Sequence, residues 1–337
     1  MRVLKIIAAA AGLAIAAGAA AAAEPLDIHV GWVTMSASSV PLSLDKKELL
    51  LHYGQSYTIT PVRMASTAAM ITGLATGDVN VGTLAYSSLS SAILNAKLDD
   101  MRVIMDTNQD GVGHGWTGHF MVLRDRPIKK VEDLKGKVLA SLTYGSAVDV
   151  AIRAMLRKHG LDDKKDVAFV EASFPNMKSM LLQKKADLIS SAEPWFDDPE
   201  LQQKAVTLFT QKEATGVTQL LVWAARAGYV KEHRAALVDF LEDSLRFTRW
   251  ALDPKNHEAF VDLDAAALKA PRETLDSYLY TDKDLYKDPH GLPNMAALQA
   301  NIDLLHQLGF FDRSFKVADY TDLSLVKEAD ARLSKNP

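Results

Sequence analysis

The side chains best placed to touch a ligand gather where short strand-like runs give way to helical ones. Thr34, Ser36, Ser38 and Ser39 follow the run 26–32, Ser66 and Thr67 follow 57–62, and Tyr86, Ser87 and Ser88 follow 79–83. Further on the junctions read Thr143-Tyr144-Gly145-Ser146, Phe174-Pro175-Asn176 and Ser190-Ser191-Ala192-Glu193-Pro194-Trp195. A hydroxyl at a helix start satisfies free backbone N–H groups. The same N–H groups, with the helix dipole, can hold an anionic group. Any one of these serines reads as a plain cap; several converging on one cleft read as a binding site.

Two stretches stand out. Gly111-Val112-Gly113-His114-Gly115-Trp116-Thr117-Gly118-His119 puts four glycines in nine residues beside a flat indole, a pliant loop that lets backbone approach a ligand. His114 and His119 are five apart, which suits neither a helix face nor a strand face, and no acid lies between them. That leaves a metal site weakly supported. In the second stretch, Glu193 could pair with a ligand donor or form a structural ion pair, and Trp195 could stack on a ligand or cover a helix start. Arg63 offers an anion partner or a solvated surface charge. There is no GxSxG elbow, no HExxH helix and no P-loop lysine, so no local motif announces catalysis or nucleotide binding.

The elements that must carry these residues alternate. Strand patterns at 26–32, 57–62, 79–83, 101–105 and 119–123 are interleaved with helical runs at 65–75 and 86–96. After a charged linker at 124–135 the rhythm restarts: strands at 137–142, 167–170, 186–190, 206–209 and 219–224, helices at 146–159 and 177–185. From Tyr229 onward the pattern is helical. Such βαβα order argues for mostly parallel sheets covered on both faces. The strand-poor tail is expected to pack back on the first unit. The chain would then cross between units twice, near Leu123 and near 221–224, making a hinge.

The 337 residues exceed what one core usually holds. Apolar residues make up 48% and charged ones 24%, an ordinary globular balance. With no cysteine there are no disulfides, thiolate metal sites or thiol nucleophile. A net charge of −4 argues against a nucleic-acid partner. Arg2 and Lys5 precede an uncharged run to Ala23, and Ala21-Ala22-Ala23 is a small-x-small cleavage site. The segment 1–23 therefore reads as a secretory signal peptide, with a retained anchor as the rival. Export without disulfides fits a bacterial periplasm and leaves little room for ATP- or NAD-dependent chemistry.

Loose motifs in fixed order then carry a resemblance. Val131-Glu132-Asp133-Leu134-Lys135-Gly136-Lys137-Val138 leads into Gly145-Ser146 and a helix ending Lys158-His159-Gly160-Leu161. Next come Leu181-Leu182-Gln183-Lys184-Lys185-Ala186-Asp187 and Glu193-Pro194-Trp195, with a related Gly73–Val79 earlier and 301–324 near the end. Together they resemble the periplasmic substrate-binding proteins of ABC importers for nitrate, sulfonates, taurine and thiamine precursors. The segment Val40–Glu48 and the glycine loop depart from the usual pattern. The cysteine-rich thiamine-pyrimidine synthase branch of that family is disfavoured.

The resemblance implies a type II periplasmic-binding-protein fold: two α/β lobes, each a mostly parallel sheet flanked by helices, with a helical C-terminal tail. Lobe 1 would comprise 24–123 and 223–337, and lobe 2 would comprise 124–222. It implies cleft positions Ser38, Ser39, Tyr86, Ser87, Trp116, Gly145, Ser146, Glu193 and Trp195. The expected ligand is a small organic anion, sulfonate- or carboxylate-like, or a heterocycle. The expected partner is an inner-membrane ABC permease, the protein a monomer without cofactor or metal. The rivals are a periplasmic enzyme on the same fold using His114, His119 and Glu193, and a ligand-sensing partner of a membrane receptor.

Overall fold

The computed structural model describes residues 24–33, 40–113 and 115–335. The expectations for the signal segment, Ser38, Ser39 and His114 fall outside them. Along the chain come β1 (Leu26–Trp32), β2 (Tyr57–Arg63), α1 (Thr67–Thr76), β3 (Val81–Ala85), α2 (Tyr86–Leu94) and β4 (Met101–Asp110). Then follow β5 (His119–Leu123), β6 (Val138–Ser141), α3 (Ala147–Lys158), β7 (Ala168–Glu171), α4 (Phe174–Leu182), β8 (Ile189–Ser191), β9 (Ala205–Thr210) and β10 (Thr218–Arg226). The tail carries α5 (Arg234–Leu252), α6 (His257–Leu268), α7 (Arg272–Asp276), α8 (Met295–Gln307) and α9 (Ser324–Lys335). Among the described residues no helix is long and apolar enough to cross a membrane.

The first sheet has the order β2-β1-β3-β10-β4. In the second unit β8-β5-β9 and β6-β7 are joined where Ala140 N donates to Leu188 O at 2.8 Å, giving β7-β6-β8-β5-β9. The two orders are the same. In each, four strands run one way and one strand, β10 or β5, runs against them. That strand enters from the other unit, so no crossover helix forces it parallel. Strand β5, which the sequence reading assigns to the first unit, pairs only with β8 and β9. The crossings therefore lie earlier than expected, in the stretches 111–118 and 211–217.

Strand β3 is buried along its whole length, as a central strand covered on both faces must be. One face packs on α1, α2 and α8, the other on α5 and α9, so the tail does return to the first sheet. Helix α3 is apolar on two sides. Its Ala151, Ile152 and Met155 face the second sheet. Its Val150 and Ala154 join Leu89, Leu298 and Ile302 of the first unit. The two units thus share a helix as well as two crossings.

Gly291 fixes how the tail meets β4. Its φ is +66° and its carbonyl accepts from Asp106 N at 2.8 Å. A Cβ there would lie 2.9 Å from both Leu245 and Val326. Left-handed backbone and overpacking both penalise a side chain. Gly291→Ala is expected to destabilise the protein by about 2–3 kcal/mol in urea unfolding; an unchanged midpoint would contradict this packing.

Candidate functional site

A cavity of about 700 Å³ opens between the two sheets. The first sheet contributes Trp32 at the end of β1 with Val33 after it, Arg63 at the end of β2, and Asn108 and Asp110 at the end of β4. The second contributes Ser190 and Ser191 of β8, the turn Ala192–Trp195, and Ala147 and Val148 from the first turn of α3. The tail closes one side with Leu268, Thr274, Leu275 and Tyr278. The carboxyl ends of β1, β2 and β8 thus face one space, as open α/β sheets direct.

The glycine-rich stretch builds the floor. Gly111 and Gly113 take positive φ, and Gly111 N donates to Trp116 O at 3.0 Å, turning the chain. Thr117 Oγ1 donates to Asp110 Oδ1 at 2.7 Å, and Gly118 N donates to Asp110 Oδ2 at 2.9 Å. From the second crossing, Lys212 N donates to Thr117 Oγ1 and Lys212 Nζ donates to Gly113 O. These glycines let the two crossings bond to each other; the sequence reading had them admitting a ligand to the backbone. Trp116 is held by its own N–H on Asp282 O at 3.0 Å and by its ring, 5.0 Å from His119 and 5.3 Å from Phe196. His119 in turn stacks on Phe196 at 4.0 Å, and its Nδ1 lies 3.0 Å from Thr207 Oγ1. Across the space Phe174 and Trp195 stack at 5.4 Å.

Of the residues expected in the cleft, Trp116, Glu193 and Trp195 are brought together in the cavity wall. Gly145 and Ser146 stand just behind it. Ser146 Oγ caps α3 by accepting from Asp149 N, and the next two residues line the cavity. Tyr86 and Ser87 are not brought there. Helix α2 starts directly after β3, which turns Tyr86 into the apolar core with Leu89 and Ile93. Its hydroxyl has no hydrogen-bond partner among the described residues. Sequence reasoning missed Trp32 and the whole tail wall. Position at the carboxyl end of β1 could have flagged the first; nothing local marks the second.

A family model, described as the NMT1-like family, matches residues 21–265. The chain belongs to that family. Among curated proteins no match was found. Solved structures share the fold. The periplasmic aliphatic sulphonate-binding protein SsuA of Escherichia coli aligns with a TM-score of 0.69 at 18% identity, covering 88% of this chain and 97% of SsuA. The periplasmic nitrate-binding protein NrtA of Synechocystis PCC 6803 gives 0.69 at 15% identity, with 93% and 90% covered. The desulfurization enzyme DszB gives 0.63 at 13% identity, with 91% and 99% covered. One fold thus serves binding proteins and an enzyme, and the site must decide between them.

Electrostatically, two acids of the cavity wall of this NMT1-like chain, Asp110 and Glu193, are held towards their neutral forms. Burial pushes Asp110 up to about 6 against the pull of Thr117 and Gly118. Burial, with the charge of Asp197 and to a lesser degree Asp284, pushes Glu193 up to about 7; the Asp197 backbone and Lys283 oppose. Burial lowers His119.

A carboxyl raised in the folded state favours folding while neutral and loses that advantage as pH climbs to its folded value. For Glu193 the loss spans about pH 4.5 to 7. Glu193→Gln cannot ionise, so its melting temperature relative to the parent should rise across that window and level off above it. Thermal unfolding of the ligand-free protein between about pH 5 and 8 reads this; a constant gap would contradict the burial of Glu193.

Proposed function

We propose that this chain is the solute-binding component of an ABC importer, working in the periplasm after export on its N-terminal signal. The observation that carries the reading is the cavity itself: its wall is assembled from both units and lies directly beside the two crossings that join them. A solute there touches both sheets only when they are close. That difference in contacts is what lets a ligand shift an open–closed equilibrium. Water leaves as the units close, and each remaining polar contact strengthens. The loaded, closed form is then the one an inner-membrane permease recognises. The names of the sulphonate- and nitrate-binding relatives support the same role.

The enzyme reading has its support in the fold of DszB and in His119 and Glu193 sharing the cavity wall. His119 is packed face-on against Phe196 with one nitrogen at Thr207, a setting suited to holding a wall. Capture without conversion is therefore the expected behaviour.

Thermal-shift screening of sulfonates, carboxylates and heterocycles should find a solute that stabilises the protein and is recovered unchanged. Trp116→Ala should weaken that solute roughly 10- to 100-fold in calorimetry while the far-ultraviolet circular dichroism is retained. Unchanged affinity would remove Trp116 from the site, and turnover of the solute would favour the enzyme.

A further inference from the structure

The wall of the cavity narrows the class of solute. Space of about 700 Å³ corresponds to roughly twenty waters at about 30 Å³ each. An anion of four or five heavy atoms would leave most of it wet and its rings uncovered. The rings are many and flat: Trp32, Trp116, Phe174, Trp195 and Tyr278. Two apolar side chains at the wall, Trp195 and Leu268, remain 38% and 41% exposed, surface that a large ligand would cover. Aromatic partners gain both buried area and ring–ring geometry there.

The charges at the wall have different standings. Asp110 has both oxygens occupied by Thr117 and Gly118. Asp284 accepts from Tyr280 N and pairs with Lys287. Lys283, exposed like Arg63 and making no side-chain hydrogen bond or ion pair among the described residues, acts on Glu193 as a nearby charge. Arg63 is also exposed and makes no ion pair or hydrogen bond among the described residues, and it differs in lying over Trp32 at 5.6 Å and in its planar head. A planar guanidinium at the end of β2 can grip a sulfonate or carboxylate with two parallel hydrogen bonds.

Building on the reading that this cavity captures a solute, we infer that the solute is a bulky aromatic acid, of two fused or linked rings and one acidic group, with the rings against the tryptophans and the acid on Arg63. Sulfonate and carboxylate share this chemistry at the head.

The test uses the mature protein in calorimetry and thermal shift with naphthalene sulfonate, naphthoate, the neutral naphthalene sulfonamide, methanesulfonate, taurine and nitrate. One of the two naphthalene acids is expected to bind about 100-fold tighter than methanesulfonate, the acid that wins identifying the head. Arg63→Gln should weaken that acid about 10-fold and leave the sulfonamide unchanged. Arg63 is exposed, so the variant is expected to fold. Methanesulfonate, taurine or nitrate binding as tightly as the naphthalene acids would overturn the inference and leave capture standing. The same holds if the sulfonamide matches the sulfonate, or if only an unrelated solute from the wider screen binds. If no solute of any kind stabilises the protein, capture itself fails, and this inference with it.

Discussion

The buried carboxylate of Asp110 ties the molecule together. One oxygen takes Thr117 and the other takes Gly118 N–H, and Thr117 in turn takes the N–H of Lys212 from the returning segment. Outgoing and returning chains are thereby fastened to each other and to the end of β4. Thr218, where β10 begins, pairs directly with Asp110. Trp116 directly precedes Thr117, so its place in the cavity wall follows from that fastening. Burial holds Asp110 near 6, so acidification weakens the acceptor on which the join relies.

Polar order of the same kind continues inward. Gln219 donates to Asp106 and accepts from Asn294 N, while Asn301 accepts from Gln219 N. Asp288 N donates to Asp106 as well. Strand β10, the end of β4 and the start of α8 are thus held by a buried network that an apolar core would not orient. It fastens the tail to the sheet at Asp288, Asn294 and Asn301, and the tail in turn supplies Leu275 and Tyr278 to the cavity. The site is therefore built from three parts of the chain, and only two of them are the units that face each other.

Much of this was legible beforehand. Strand β1, the start of α2 and the cap of α3 were visible in alternation, hydroxyls and terminal glycines, because local physics decides them. The end of β4 was not. The strand pattern stops at 105, yet Asp106, Asn108, Gln109 and Asp110 are buried and paired with β10. Their partners lie more than a hundred residues away, and no window of sequence shows them. The same non-locality moved β5 into the second sheet. For the site, the rule that strand ends face the ligand placed Glu193 and Trp195, and it placed Tyr86 too generously, since a helix that follows its strand without a loop turns its first side chain inward. Leu268 and Tyr278 carry no mark of their role; only the fold of the tail brings them round.

The late return of β10 bears on how such a chain is made. Strand β10 lies between β3 and β4, so the first sheet lacks an inner member until the entire second unit has been synthesised. Until then β3 and β4 each present an open row of backbone groups, ready to template misassembly. A fragment cut before Thr218 would carry that defect permanently. The first unit is thus completed only after the second, whose strands β5 to β9 are continuous in sequence, and nascent chains need shielding until β10 arrives.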